Sequence, residues 1–476
     1  MSTRAWPLWL SVLGALAAVG CAIGPNYTRP PVTSPDRFYG EEAEAEARSL
    51  ADLAWWDLFK DPVLTGLVDE ALKNGFDARL AAARVEEARA FYGVTRSEFF
   101  PTLDYQGSWQ RGRPDQFRNP SGATQTAWTA DISLGWEIDL WGRIRRLNES
   151  ARAQYLATEE ARRGVLLSVL SDVATAYFEL RELDSELEIA RRTTAAFQNT
   201  YDLFSRRLEG GAASALETAR AEASLGQVAA QIPEIERAIV AKENQINFLL
   251  GRNPQPIVRD GPQTPLAPDI PPGLPSALLE RRPDVREAEQ ILVSANANVG
   301  VAKADFFPRF SLTGVFGNVS PELEDLFSKG KTWSVGGGLL GPIFHGGAIK
   351  RNYEAVKAQR KQATVQYEAA VTRSLAEVST ALVARTKLVE TESQRERTVD
   401  AYREAIRLAL LRYGSGRSAY FEVLEAQQQL FPAEISLAQT RRDQLVAVVN
   451  LYRALGGGWP AEERAAGGAP AGGGSR

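Results

Sequence analysis

"TAWTADISLGWEIDL", residues 126 to 140, alternates apolar and polar side chains almost without interruption. Trp128, Ala130, Ile132, Leu134, Trp136, Ile138 and Leu140 fall on one side of an extended strand, and Thr129, Asp131, Ser133, Glu137 and Asp139 on the other. An apolar strand face must be covered by something, yet the surrounding sequence is long, charged and helix-forming. Three further stretches share the pattern. Leu103, Tyr105 and Trp109 alternate with Asp104, Gln106, Ser108 and Gln110, while Phe310, Leu312 and Phe316 mark a third strand. Trp333, Val335, Leu339 and Ile343 mark a fourth among glycines, and the loops at 113–125 and 319–331 are polar and carry Gly, Pro and Asn.

Strands of roughly ten residues with aromatic residues near their ends have the length and girdle of a transmembrane β-barrel; a soluble sandwich is the competing reading. The smallest membrane barrels need about eight strands, so four cannot close one. Several chains must then share a barrel, with the apolar face of 126–140 against lipid and the face of Asp131, Glu137 and Asp139 lining water.

The 476 residues are 44% hydrophobic and 24% charged, enough for a large ordered structure, and the net charge of -4 gives none of the basic field that nucleic acid requires. The single cysteine, Cys21, follows a short segment with Arg4 near its start and an apolar stretch from Leu8 to Val19, which reads as a secretory signal over residues 1–20. Cys21 resembles the lipid-acceptor cysteine of bacterial lipoproteins, although Ala18 stands where those signals more often have Leu; cleavage nearby with an incidental thiol is the alternative. Ala22 is not acidic, which points to the outer rather than the inner membrane. No later segment has eighteen consecutive apolar residues, so no ordinary transmembrane helix is predicted.

The chain is internally duplicated. "FDARLAAARVEEARAFYGVTRSEFFPTLDYQGSW" from Phe76 is echoed by "PDVREAEQILVSANANVGVAKADFFPRFSLTGVF" from Pro283, and "RLEGGAASALETARAE" from Arg207 by "RYGSGRSAYFEVLEAQ" from Arg412. Each unit reads as helix, strand, loop, strand and a long helical hairpin. From Ile144 to Leu208 there is no Pro and one Gly, and Ile349 to Tyr413 is similar; a helix of that length reaches on the order of 100 Å. Val165, Leu166, Val169, Leu170, Val173, Ala176, Tyr177 and Leu180 recur at the spacing of coiled packing. Pro233 and Pro432 are expected to kink the return helices. The predicted organisation is a signal at 1–20, a lipid-anchored segment and first helix at 21–75, a first repeat at 76–250, a Pro-rich linker at 251–275, a second repeat at 276–460 and a disordered low-complexity tail at 461–476.

"CAIGPNYTRPPV", "WWDLFKDPVLTGLVDEAL", "EIDLWGRIRR", "ERRPDVREAE", "RYGSGRSAYFEVLEAQ" and "NLYRALGGGW" occur in that order. Together they resemble the TolC/OprM-type outer-membrane efflux channels, in their NodT-like lipoprotein branch, from Cys21 to Trp459. The resemblance implies a mixed α and β membrane protein, a homotrimer in which each chain gives four strands to one transmembrane β-barrel and long hairpins to a periplasmic α-barrel. It implies passive conduction of small molecules such as drugs and toxic compounds, with a periplasmic adaptor and a proton-driven inner-membrane pump as partners. It points the hairpin corners toward the periplasmic tip, so Arg207, Gly210, Gly211, Ser214, Arg412, Gly414, Gly416 and Ser418 become candidates for adaptor docking. Phe421 and Glu425, four residues apart and so on one helix face, stand where the family has an apolar constriction and an acidic ring. The family often has Leu and Asp there, and Gln428 stands where a basic partner can occur.

Catalysis finds no support. His345, the only histidine, has no Cys or second His to join it, and "GGGLLG" at Gly336–Gly341 sits in a strand pattern and opens no helix. No cofactor or metal is predicted. The competing functions are an exit duct for protein secretion, a periplasmic coiled-coil scaffold lipoprotein and an envelope hydrolase, the last of which needs a polar catalytic cluster.

Overall fold

The first substantial helix starts at Asp61, whose carboxylate accepts hydrogen bonds from the N–H groups of Val63 (3.0 Å) and Leu64 (3.1 Å), with Pro62 at the first helical position. The computed structural model describes residues 22–32, 35–39, 55–113, 123–259 and 275–457. Cys21 and the predicted signal, residues 114–122 of the first loop, 260–274 of the linker and the tail lie outside the described residues.

In chain order the elements are α1 (Trp55–Phe59), α2 (Pro62–Asn74), α3 (Phe76–Ser97), β1 (Thr102–Gly112), β2 (Gln125–Ile138), α4 (Arg143–Glu209), α5 (Ala215–Ala229), α6 (Gln231–Leu249), a single 3-10 turn (Pro275–Ala277), α7 (Leu278–Arg281), α8 (Pro283–Ala304), β3 (Arg309–Ser320), α9 (Leu326–Lys329), β4 (Lys331–Leu340), α10 (Ala348–Gly414) and α11 (Phe421–Ala454). Helix, two strands, a 67-residue helix and a return helix thus occur twice. Contacts gather the chain into two units: residues 1–31, 84–159 and 287–368, and residues 32–83, 160–286 and 369–476. Each unit draws on both sequence repeats.

The first unit holds one antiparallel sheet in the order β1-β2-β3-β4. Its register sets Leu103 opposite Leu134, Tyr105 opposite Ile132 and Trp109 opposite Trp128, then Ile132 opposite Phe316 and Phe316 opposite Trp333. Residues directly opposite share a face, so the apolar side is continuous across all four strands. Nothing described in the chain covers it: Tyr105 is 91%, Phe316 65% and Trp333 75% exposed.

Below the sheet, β2 ends one residue before Asp139, whose carboxylate accepts from the N–H groups of Ile144 (3.1 Å) and Arg145 (2.9 Å) at the start of α4. Helix capping therefore takes Asp139 away from the strand face predicted for it. Glu137 pairs with Arg143 through two bonds (2.9 and 3.0 Å), and Ile343 lies past the end of β4. The N-terminal strap docks here as well. Ile23 N–H donates to the Trp141 carbonyl (3.0 Å), Arg146 donates to Asn26 (2.8 Å), and Arg29 forks onto Glu289 (2.7 and 2.6 Å).

The second unit is built on the middle of α4. The predicted apolar stripe is buried at Val169, Leu170, Val173, Ala176, Tyr177 and Leu180, and Ala174 and Phe178 are buried too, so the covered face is wider than that stripe, while Ser168 and Asp172 stay exposed. α1 and α2 account for part of the extra cover: Phe59 meets Phe178 edge-on at 5.0 Å, and Tyr177 Oη donates to Asp61 (3.1 Å). Burial, with Asp61 beside it, pushes the Tyr177 hydroxyl up to about 12. The two return helices treat proline differently. Pro233 follows a break at Ala230 that separates α5 from α6, where its missing N–H falls in the first turn; Pro432 is retained inside α11. Glu434, also on α11, is buried between Arg192 of α4 (2.6 Å) and Arg403 of α10 (2.9 Å).

Glu182 of α4 is a buried acid whose Oε1 has no hydrogen-bond partner; the Arg442 guanidinium stands 3.7 Å from its other oxygen. Burial first, and then the neighbouring Glu186 carboxylate, pushes its pKa up to about 8. The folded chain holds a proton there that the unfolded chain has already lost, so stability falls as pH rises from the ordinary carboxylate range through about 8. Glu182→Gln, neutral throughout, removes that slope. Thermal melts followed by circular dichroism in detergent are expected to show a variant advantage that grows with pH and levels off above this range; parallel curves would refute the assignment.

Candidate functional site: the hairpin corners

The corners where α4 meets α5 and α10 meets α11 have the same backbone. In the first, Ala212 N–H donates to the Arg207 carbonyl (2.7 Å) and Gly211 N–H to that of Leu208 (3.0 Å); in the second, Arg417 donates to Arg412 (2.9 Å) and Gly416 to Tyr413 (2.9 Å). This is the Schellman closure of a helix, and it needs a left-handed residue. Gly211 and Gly416 supply it, with φ of 70° and 69°. Gly210 and Gly414 do not have positive φ; Gly414 is the last residue of α10.

The side chains diverge. Ser214 caps α5 in a reciprocal box: its Oγ accepts from Glu217 N–H (3.3 Å) and the Glu217 carboxylate accepts from Ser214 N–H (2.9 Å). Ser418, a docking candidate, has its Oγ buried without a partner. Arg207, expected as an exposed donor, donates to Tyr413 Oη with its guanidinium 5.7 Å from the Tyr413 ring centroid. Arg412 is exposed and stands 3.6 Å from Glu422. Beneath both corners lies an aromatic cluster that the sequence reading did not single out. Tyr420 meets Phe204 at 4.8 Å and Tyr413 at 5.0 Å, and its hydroxyl lies 2.9 Å from Thr200 Oγ1. Its burial raises the Tyr420 pKa.

Phe421 and Glu425 are both exposed on α11, Phe421 by 51%. The Arg220 guanidinium of α5 covers the Phe421 ring at 5.3 Å. Gln428 donates across to Ser224 Oγ of α5 (2.8 Å). His345 is exposed after β4, and Gly336–Leu340 lie within that strand. Among the described residues no group of three acidic, His or Cys side chains could hold a metal ion, and no helix is long and apolar enough to cross a membrane.

A family model described as outer membrane efflux protein matches residues 67–252 and 274–457. The solvent efflux pump outer membrane protein SrpC of Pseudomonas putida is 36% identical over 463 residues, covering 94% of this chain and 98% of the relative. Outer membrane protein OprJ of Pseudomonas aeruginosa is 35% identical over 459 residues, covering 94% and 95%. Among solved structures, the outer-membrane channel OprN superposes with a TM-score of 0.85 at 30% identity, over 92% of this chain and 100% of that one. The CmeC outer membrane channel of Campylobacter jejuni gives 0.85 at 26% identity, over 94% and 98%.

The corner geometry makes a sharp contrast among four glycines. Gly211→Ala and Gly416→Ala are each expected to cost about 1 to 2 kcal/mol, because a Cβ disfavours the left-handed region. Gly414→Ala has open space around the new methyl and Gly210→Ala meets only ordinary contacts, so both are expected within about 0.5 kcal/mol of the parent. Denaturation midpoints in detergent decide; equal losses at all four positions would contradict the assignment.

Proposed function

The chain belongs to the outer membrane efflux protein family, and we propose on that premise that three copies close one transmembrane β-barrel that carries small organic compounds passively out of the cell. As a family member it is the outer-membrane component of an efflux system, which requires an adaptor and an inner-membrane pump. The observation that carries the barrel is the bare apolar face running through Tyr105, Ile132, Phe316 and Trp333. A sheet of four strands has two unpaired edges, and in lipid every edge must be paired. Three copies give a barrel of about twelve strands, within the known range. The names of the relatives, solvent and toluene efflux proteins among them, favour small organic cargo over secreted protein and over a scaffold.

A lipid anchor at Cys21 is supported by the strap. Ile23 is bound to Trp141 just beyond the foot of β2, so the described strap, which begins one residue after Cys21, is fixed at the same end of the sheet as the aromatic Trp136 and Trp141. Acyl chains there would supplement the barrel rather than replace it. The corners at Arg207–Ser214 and Arg412–Ser418 meet the adaptor, with Arg412, exposed beside Glu422, more accessible than Arg207, which is bound to Tyr413. Phe421 and Glu425 form the periplasmic constriction: three phenyl rings exclude water, and three carboxylates attract cations. The long hairpins line the periplasmic tunnel.

Two measurements test this reading. Light scattering of the detergent-extracted protein is expected to give the mass of a trimer, and a monodisperse monomer would refute the shared barrel. In planar bilayers, Phe421→Ala is expected to raise single-channel conductance and Glu425→Gln to lower cation preference; parent-like behaviour of both would place the gate elsewhere.

A further inference from the structure

We infer that Arg220 is a second gate residue, holding the Phe421 ring and setting a positive charge among the Glu425 carboxylates; this rests on the gate reading of Phe421 and Glu425. The register that aligns Arg207 with Arg412 also aligns Leu216 with Phe421 and Arg220 with Glu425. The two halves of the chain thus present the same two positions just past the same corner, one apolar and one charged. Leu216 and Phe421 are 61% and 51% exposed, so neither corner buries its apolar residue within the chain. At the charged position the signs are opposite.

The structure adds a contact that the alignment does not contain. Arg220 reaches from α5 to α11 and lays its guanidinium over Phe421, 5.3 Å from the ring centroid. Among the described residues it makes no ion pair, and neither does Glu425. Two neighbouring acids are engaged elsewhere: Glu422 stands against Arg412, and Glu217 closes the cap on Ser214. Gln428, in the next turn beyond Glu425, is neutral and is bonded to Ser224. The cation laid over Phe421 is Arg220. A guanidinium stacks flat on a ring while its edge N–H groups remain free to donate, so Arg220 can fix Phe421 and still attract carboxylates.

Threefold assembly would bring three Arg220 and three Glu425 to one constriction. Positive charges interspersed with the carboxylates reduce their mutual repulsion, draw the ring together, and weaken the cation preference that carboxylates alone would impose. The gate is then a mixed-charge ring with its aromatic plug clamped, and it loosens with salt as exposed charges are screened.

The test records the full-length protein in planar bilayers under a potassium chloride gradient. Arg220→Gln is expected to raise the conductance of the resting level by roughly a factor of two to five, the worth of one exposed cation–π contact, and to shift the reversal potential toward cations. Arg220→Lys keeps the charge but stacks less well, so conductance is expected to rise with the reversal potential unchanged. Glu425→Gln is expected to shift the reversal potential the other way. If Arg220→Gln matches the parent in both readings while Glu425→Gln or Phe421→Ala does not, the role of Arg220 is overturned and the gate reading stands. If all three match the parent, the gate reading falls and the role of Arg220 falls with it.

Discussion

The outer strands of an open sheet carry backbone N–H and C=O groups with no partner, and where that sheet also bears an apolar face the groups cannot simply be handed to water. β1 and β4 are such edges here, and the face between them runs without interruption from Leu103 to Leu339. A water-soluble chain would cover this face with helices. This one instead sends its helical sequence into two 67-residue helices and leaves Tyr105 and Trp333 bare. The missing cover and the missing edge partners are two halves of one constraint, and a closed ring of several copies in lipid satisfies both.

The helical unit follows a different constraint. Helices this long need cross-ties, because local propensity alone does not fix how one lies against another. Glu434 provides one by accepting from Arg192 and Arg403 on two different helices. A buried carboxylate is costly unless charges meet it on several sides, so the geometry of α4, α10 and α11 is specified together. The aromatic group of Phe204, Tyr413 and Tyr420 plays the apolar counterpart beneath the corners.

What could be read from the sequence was what has a period. The strand faces from Trp128 to Ile138 and the two long helices declared themselves within a residue or two of their observed limits. Features decided by a single competing hydrogen bond did not. Asp139 continues the strand alternation in sequence but caps a helix in the fold, and Gly210 and Gly414 look like turn residues although only Gly211 and Gly416 take positive φ. Phe178 was hidden because it flanks the predicted stripe and is covered by Phe59 of α1, which is far away in sequence. For the candidate gate, the spacing of Phe421 and Glu425 on one face was legible; Arg220 belongs to another helix, and no local pattern says which ring it will cover.

The two corners separate what a turn requires from what it permits. Backbone geometry is held by one glycine and two hydrogen bonds in each, and these match closely. Side chains around them are not needed for closure and have diverged: Arg207 is spent on Tyr413 and Arg412 stands toward Glu422, while Arg220 and Glu425 carry opposite charges at aligned positions. Divergence confined to residues that the turn does not use is what two copies of a unit can accumulate while both still fold. If three copies assemble as proposed, it would also convert six equivalent positions into two sets of three, so that a ring formed by the corners would hold both signs of charge where identical subunits with one hairpin each would hold only one at a given position.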